Sequence, residues 1–346
     1  MLDIYSHFTA LDVMRAQLGA QIASGAVSDP RADEAYKALQ SDTPYAVLGA
    51  VIDHLMAHDG AANAEVTLLE QAHSIWTTVR DFQVDFRNTR TSIEQIAMHP
   101  SAPTALADFN AARLNMSVLI ERHDQIIATL QAFQWSLRPL AHLTQHPQAF
   151  DQPVKSWPWR DVILSRRSGA FTAALMEQSR AIGTPEALAF GVGAISSYAA
   201  NAIGSAYLLH GVGGPRRSHP YRDRLASYAV GAWLNYVPLP VETDFDRTHA
   251  LPLFGSSNHP ALPGWLRDLI LKALSNTYER HAPPNLPDLD TAFAQLIHHW
   301  RLLHSFAPLP QSTPIATTLR LRIHSTLTPL DYDRPDADGL GGSGGG

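Results

Sequence analysis

The sequence predicts an all-α protein, a multi-helix bundle around a buried central helix, with a long helical hairpin inserted before it. Three observations carry that expectation. Residues 185–209, PEALAFGVGAISSYAANAIGSAYLL, hold one charge, Glu186, and are apolar or small on every face, which as a helix calls for burial all round. Two long segments, 63–98 and 104–143, repeat apolar residues at three- and four-residue spacing: Val66, Leu69, Trp76, Val79, Phe82 and Phe86, then Leu106, Phe109, Leu114, Val118, Ile127, Leu130 and Phe133. Alternating β-branched residues appear in only one stretch, near the C-terminus.

Taken in order, residues 1–25 read as a helix after Ser6-His7, with Leu11, Met14, Leu18 and Ile22 on one face. Asp29-Pro30 marks a turn before a short helix over 33–39. Pro44 opens another, with Val47, Leu48, Val51, Leu55 and Met56 as its apolar side and Asp59-Gly60 as its stop. The long segments follow, broken by His99-Pro100-Ser101-Ala102-Pro103, and so short a break folds them back as an antiparallel hairpin. Pro139 should kink or shorten the second. The polar stretch 145–158 reads as a crossing loop and 159–181 as a helix. Thr184 caps the central helix, Pro185 suits its first position, and Glu186 faces the positive end of its dipole. Gly211, Gly213, Gly214 and Pro215 stop it.

Beyond that stop, 221–236, 264–281 and 289–306 read as helices, and the Pro-, Gly- and Ser-rich 237–263 as a surface wrap. Residues 313–330 are the strand candidate, and the acidic then glycine-rich 331–346 should be disordered. The whole is one helical domain over 1–330, with the hairpin 63–143 inserted and 184–235 as its centre.

Composition narrows the function. A chain of 346 residues, 45% hydrophobic and 17% charged, can build a large core. A formal charge of −6 without basic clusters excludes a nucleic-acid binder, and the pairs Arg166-Arg167 and Arg216-Arg217 read as solvated surface. The absence of cysteine removes disulfides and thiolate metal sites and fits a reducing compartment. The opening MLDIYSHFTALDV lacks the basic start and apolar run of a signal peptide. The expectation is therefore a cytoplasmic protein, or one exported without a cleaved signal. Residues 187–209 are long enough to cross a membrane, but Ser196, Ser197, Asn201 and Ser205 in the middle read instead as a soluble core helix.

The metal-ligand candidates are histidines and aspartates. His54 and His58 lie four apart, the spacing with which imidazoles on one helix face share a metal, and Asp53 and Asp59 adjoin them. The competing reading is an exposed polar helix end. His7 stands beside a helix start, where caps and packing residues are also found. His210 and His219 flank the glycine-rich turn, whose Gly211–Pro215 lacks the preceding strand and following Lys-Ser/Thr of a phosphate loop. His298-His299 and His304 read as interface or surface residues.

The motifs GAISSYAANAIGSA and VGGPRRSHPYRDRLASYAVGAW, with IYSHFTALDV and PYAVLGAVIDHL, resemble segments of the zinc-dependent phospholipase C family, a helical family. The resemblance touches residues 4–59 and 184–235. It implies that His7 matches an N-terminal metal ligand, that a metal-binding Asp falls at His54 or, shifted by one, at Asp53, and that His219 occupies the place of a family His. It also implies that ligands are missing. Ser197, Asn201 and Ser205 stand where the family has His, Asp and His, and the next helix offers Asp223, Ser227 and Gly231. Neutral hydroxyls and amides do not neutralise clustered cations, so a multi-ion centre is not expected.

The resulting expectation is a non-catalytic relative of that family, a binding or scaffold protein that docks a protein partner through the hairpin. The alternative is an active metal-dependent phosphodiesterase with a reduced site built from His7, Asp53 or His54, His210 and His219. No cofactor is expected, with zinc the candidate if one is held. A membrane surface is an allowed partner, a transmembrane span is not expected, and a polar pocket should lie beside the central helix.

Overall fold

The computed structural model describes residues 2–58, 64–143, 153–214, 219, 222–223, 226–227, 230–231, 234, 255–256, 259–278 and 285–305. The protein is all-α: the regular structure of these residues is helical, apart from a two-residue antiparallel ladder between β1 (Gly255–Ser256) and β2 (His259–Pro260). The described residues divide into two compact units, one drawn from 2–58 and 143–300 and the other from 64–142 and 301–305.

In the first unit, α1 (Ile4–Ala23) is capped by Asp3, whose carboxylate accepts from the Ser6 N–H, and α2 (Pro30–Ser41) by Asp29, with Pro30 at its first turn. Asp29-Pro30 is thus a helix start rather than a turn ahead of one. The helix expected from Pro44 to Asp59 is broken. It becomes α3 (Thr43–Ala50), a non-helical Val51 (φ −112°, ψ 26°), the single turn α4 (Ile52–Leu55) and a 3₁₀ turn over Met56–His58. Asp59 lies outside the described residues.

The helix expected over 159–181 is likewise two, α7 (Trp159–Ser165) and α8 (Ser168–Ile182). Arg167 sits between them in left-handed backbone (φ 50°). That strain is held from outside: the Arg167 guanidinium donates to the Thr277 carbonyl at 2.6 Å, and the Tyr278 hydroxyl donates to the Arg166 carbonyl at 2.7 Å. The central helix α9 (Pro185–Val212) has Thr184 as its cap and the left-handed Gly213 as its stop. It packs on α1, α2, α3 and α8. Two glycines bring it against α3. A Cβ on Gly193 would run into the Ala46 main chain, and one on Gly49 would meet the Phe190 carbonyl and, at 2.8 Å, the Ala194 nitrogen.

Burial of α9 is one-sided along its length, contrary to the expectation from its apolar faces. From Ala187 to Ser197 it is largely enclosed, whereas Ile203 and Tyr207 are about three-quarters exposed (75% and 74%). By length and composition it is apolar enough to cross a membrane. Residues 222–223, 226–227, 230–231 and 234 are helical, and Asp223, Ser227 and Gly231 are all buried. Then come α10 (Gly264–Tyr278), packed on α8, and α11 (Leu289–Ser305), whose Phe293, Leu296 and Ile297 are buried.

The second unit is the hairpin of α5 (Ala64–Met98) and α6 (Ala105–Leu143). Its helices run antiparallel: Arg122 donates to Asp85 at 2.7 Å and the His123 ring lies 6.2 Å from that of Phe82. Leu69, Val79 and Phe82 on one helix and Leu119, Ile126 and Leu130 on the other are buried. Pro139 does not end α6, which continues to Leu143. The strand candidate 313–330, the tail 331–346, Arg216-Arg217 and most of the loops expected over 145–158 and 237–263 lie outside the described residues.

Candidate metal site

The close approach of α3 and α9 puts the end of α3, and the turn α4 that follows it, beside the polar face of the central helix. Asp53 on α4 and His7 on α1 are almost completely buried, and His54 is partly buried. One ligand-type atom from each lies within 4.8 Å of the others. His7 Nε2 stands 3.4 Å from Asp53 Oδ2, and the His7 and His54 rings meet edge to face with centroids 5.5 Å apart.

Both nitrogens of His7 and Oδ1 of Asp53 make no hydrogen bond among the described residues, though no solvent reaches them. Orphaned polar atoms so deeply placed are rare and call for an explanation. The remaining atoms are held. Asn201 on α9 donates from Nδ2 to Asp53 Oδ2 at 3.1 Å, the Leu2 N–H donates to Asn201 Oδ1 at 3.2 Å, and His54 Nε2 lies 3.1 Å from the Leu2 carbonyl oxygen.

Electrostatics sets the protonation of the cluster. Burial alone would raise the Asp53 carboxyl, but His7 and His54 beside it, with Arg160 on α7 farther off, hold it well below the usual carboxylate range. Burial pulls the His54 imidazole down to about 3, against the opposing pull of Asp53, and Arg160 and His7 add to the depression. At neutral pH the pair is an anionic carboxylate and a neutral imidazole, the forms that donate lone pairs to a metal.

No known protein family, curated protein or solved structure matches this chain. The site therefore stands on its own geometry. Of the five candidate ligands, His7, Asp53 and His54 are brought together. His210 is exposed on the last turn of α9 and His219 lies beyond its glycine stop, and neither belongs to the cluster. His58 is not a partner of His54. The chain leaves the helix at Leu55, and His58 instead meets His299 of α11 in a buried pair, Nε2 to Nδ1 at 3.3 Å. That also corrects the surface reading of His299.

Ser197, Asn201 and Ser205 share one wall, and with Asp53 they border a cavity of about 270 Å³ between α9 and the Ser168–Thr172 turn of α8. Ser197 and Asn201 are buried and Ser205 lies at the exposed rim. Sequence reasoning missed the Leu2 main chain and Arg160. A peptide group has no signature in sequence, and Arg160 is one arginine among many.

Proposed function

We propose that the protein holds one divalent ion, zinc by the chemistry of its ligands, on His7, Asp53 and His54, and that it hydrolyses a phosphoester seated in the adjoining cavity. The observation that carries this reading is the 3.4 Å separation of His7 Nε2 and Asp53 Oδ2 without a hydrogen bond. Two ligands of a tetrahedral zinc ion, each about 2.1 Å from it, stand about 3.4 Å apart. Two imidazoles and a carboxylate form a three-ligand set of the kind that leaves a fourth position open for chemistry.

An ion so held supplies Lewis acidity toward a phosphoryl oxygen. The chain's own residues do the rest. Asp53 borders both the ligand cluster and the cavity, so a molecule in the cavity sits next to the ion position. The Ser197 hydroxyl and the Asn201 amide on that wall offer neutral hydrogen bonds to its oxygens, and Phe171 closes the apolar side. The resemblance to zinc-dependent phospholipases C supports this chemistry at His7 and, for the metal-binding Asp, at His54 or, shifted by one, at Asp53.

A second reading, a non-catalytic binding or scaffold protein, is favoured by the same wall. Ser197, Asn201 and Ser205 carry no charge there, which speaks against a multi-ion centre. Metal analysis of chelator-free protein from zinc-supplemented medium, followed by assay of a chromogenic phosphodiester, separates the two. One zinc per chain with turnover supports the hydrolase, one zinc without turnover supports the binding protein, and no zinc sinks the metal reading.

A further inference from the structure

Three hydrogen bonds form a continuous chain behind the cluster, and each fixes an orientation. The Leu2 carbonyl can only accept, so His54 Nε2 carries the proton and Nδ1 keeps the lone pair. The Leu2 N–H can only donate, so it selects the oxygen of the Asn201 amide and turns the NH₂ toward Asp53. The main-chain N–H and C=O of one residue, Leu2, thus set both the Asn201 and the His54 side chains, and Asn201 is the link that carries that hold to Asp53. Only an amide fits there. A carboxylate could still accept from Leu2 but would turn a second negative oxygen on Asp53, and an apolar side chain would leave both Asp53 Oδ2 and the Leu2 N–H unsatisfied.

We infer that Asn201 is a positioning residue for the metal site: with the Leu2 main chain it holds Asp53 and His54 in register, so that their lone pairs converge with that of His7. The inference rests on the single-ion reading. Partners of this kind, which hydrogen-bond a metal ligand, change metal affinity by about tenfold to hundredfold when removed.

The test is a cobalt(II) titration of the full chain, with the visible spectrum of the bound ion as a report on coordination geometry. Asn201→Ala and the nearly isosteric Asn201→Leu should each bind cobalt about tenfold to hundredfold more weakly than wild type and show an altered spectrum. Affinity and spectrum unchanged in either folded variant overturn the inference while leaving the single-ion reading intact. Wild type that binds no cobalt overturns the single-ion reading itself, and this inference with it. A measurement on wild type alone guards against variants that fail to fold. Long-range ¹H–¹⁵N spectra should show His54 protonated at Nε2 both before and after zinc is added, and a proton on Nδ1 in either state overturns the inference.

Discussion

The Asn201 amide reaches across 148 positions of sequence to donate to Asp53 Oδ2 at 3.1 Å, joining the central helix to the turn that carries two of the three candidate ligands. The bond satisfies one oxygen of Asp53 and leaves Oδ1 without a partner among the described residues. The cluster is therefore fixed in place yet incomplete.

An ion that completes it should stabilise the fold by mass action. With free zinc at about one hundred times its Kd, the gain is about 2.7 kcal/mol. Denaturant unfolding with and without zinc measures it. His7→Ala should abolish the increment, and an equal gain in that variant would place the ion elsewhere.

The metal-free protein should lose stability in acid ahead of ordinary carboxylate titration. The folded state holds His54 down at about 3, whereas an unfolded histidine titrates near 6.5, so the unfolded chain binds more protons between those limits. The contribution is fully present above about pH 6.5 and is lost progressively as pH falls toward 3. Asp53, held low, adds a loss of the same sign once pH drops below the unfolded carboxylate value near 4. Melting temperatures between pH 7.5 and 5 should fall in wild type, and His54→Phe should flatten that slope. A slope untouched by the substitution would mean that another group titrates.

What the sequence made legible was local. The extents of α5 and α6 and the cap, first turn and glycine stop of α9 are written within a few residues of where they act and match the structure to within a residue or two. Helix α5 buries its expected stripe except Phe86, but α6 leaves Leu106, Phe109, Leu114 and Val118 exposed and buries Ala112, Leu119 and Ile126 instead. The breaks were hidden because no Gly or Pro marks them: Val51 leaves the helix on an ordinary side chain, and Arg167 is strained by partners more than a hundred positions away. The site was half legible. His7, Asp53 and His54 could be picked out as residue types, but their convergence depends on how closely α3 approaches α9. The pairing of His58 with His299, 241 positions apart, left no trace in spacing.

The hairpin should depend on its seam and not on its surface charges. Phe82 is 6% exposed, and Phe82→Ala should cost about 3–5 kcal/mol. The pair between Arg122 and Asp85 is 33% and 52% exposed, so Arg122→Ala should cost under about 1 kcal/mol. Urea unfolding followed by helical circular dichroism compares them, and a larger effect from Arg122 would contradict the packing described.

The contact between α3 and α9 ties the fold to the site. At Gly193 a Cβ would stand 2.8 Å from the Ala46 carbonyl carbon and 3.0 Å from its Cα, with the carbonyl oxygen closer still. These are main-chain atoms that no rotamer change can move, so Gly193→Ala must push α3 away from α9, at a cost of about 1–3 kcal/mol. Gly211, on the same helix, has nothing within 4 Å of the corresponding position, and there the better helix propensity of alanine should stabilise by up to about 1 kcal/mol. The two substitutions are chemically identical, so opposite signs in denaturant unfolding would isolate the helix contact as the cause. The displacement has a second consequence. Asp53 and His54 follow α3 and Asn201 rides on α9, so Gly193→Ala should also stretch the 3.1 Å bond between Asn201 and Asp53 and weaken cobalt binding, while Gly211→Ala leaves binding unchanged. Gly193→Ala that is destabilised yet binds cobalt with wild-type affinity would show that the site does not depend on this contact.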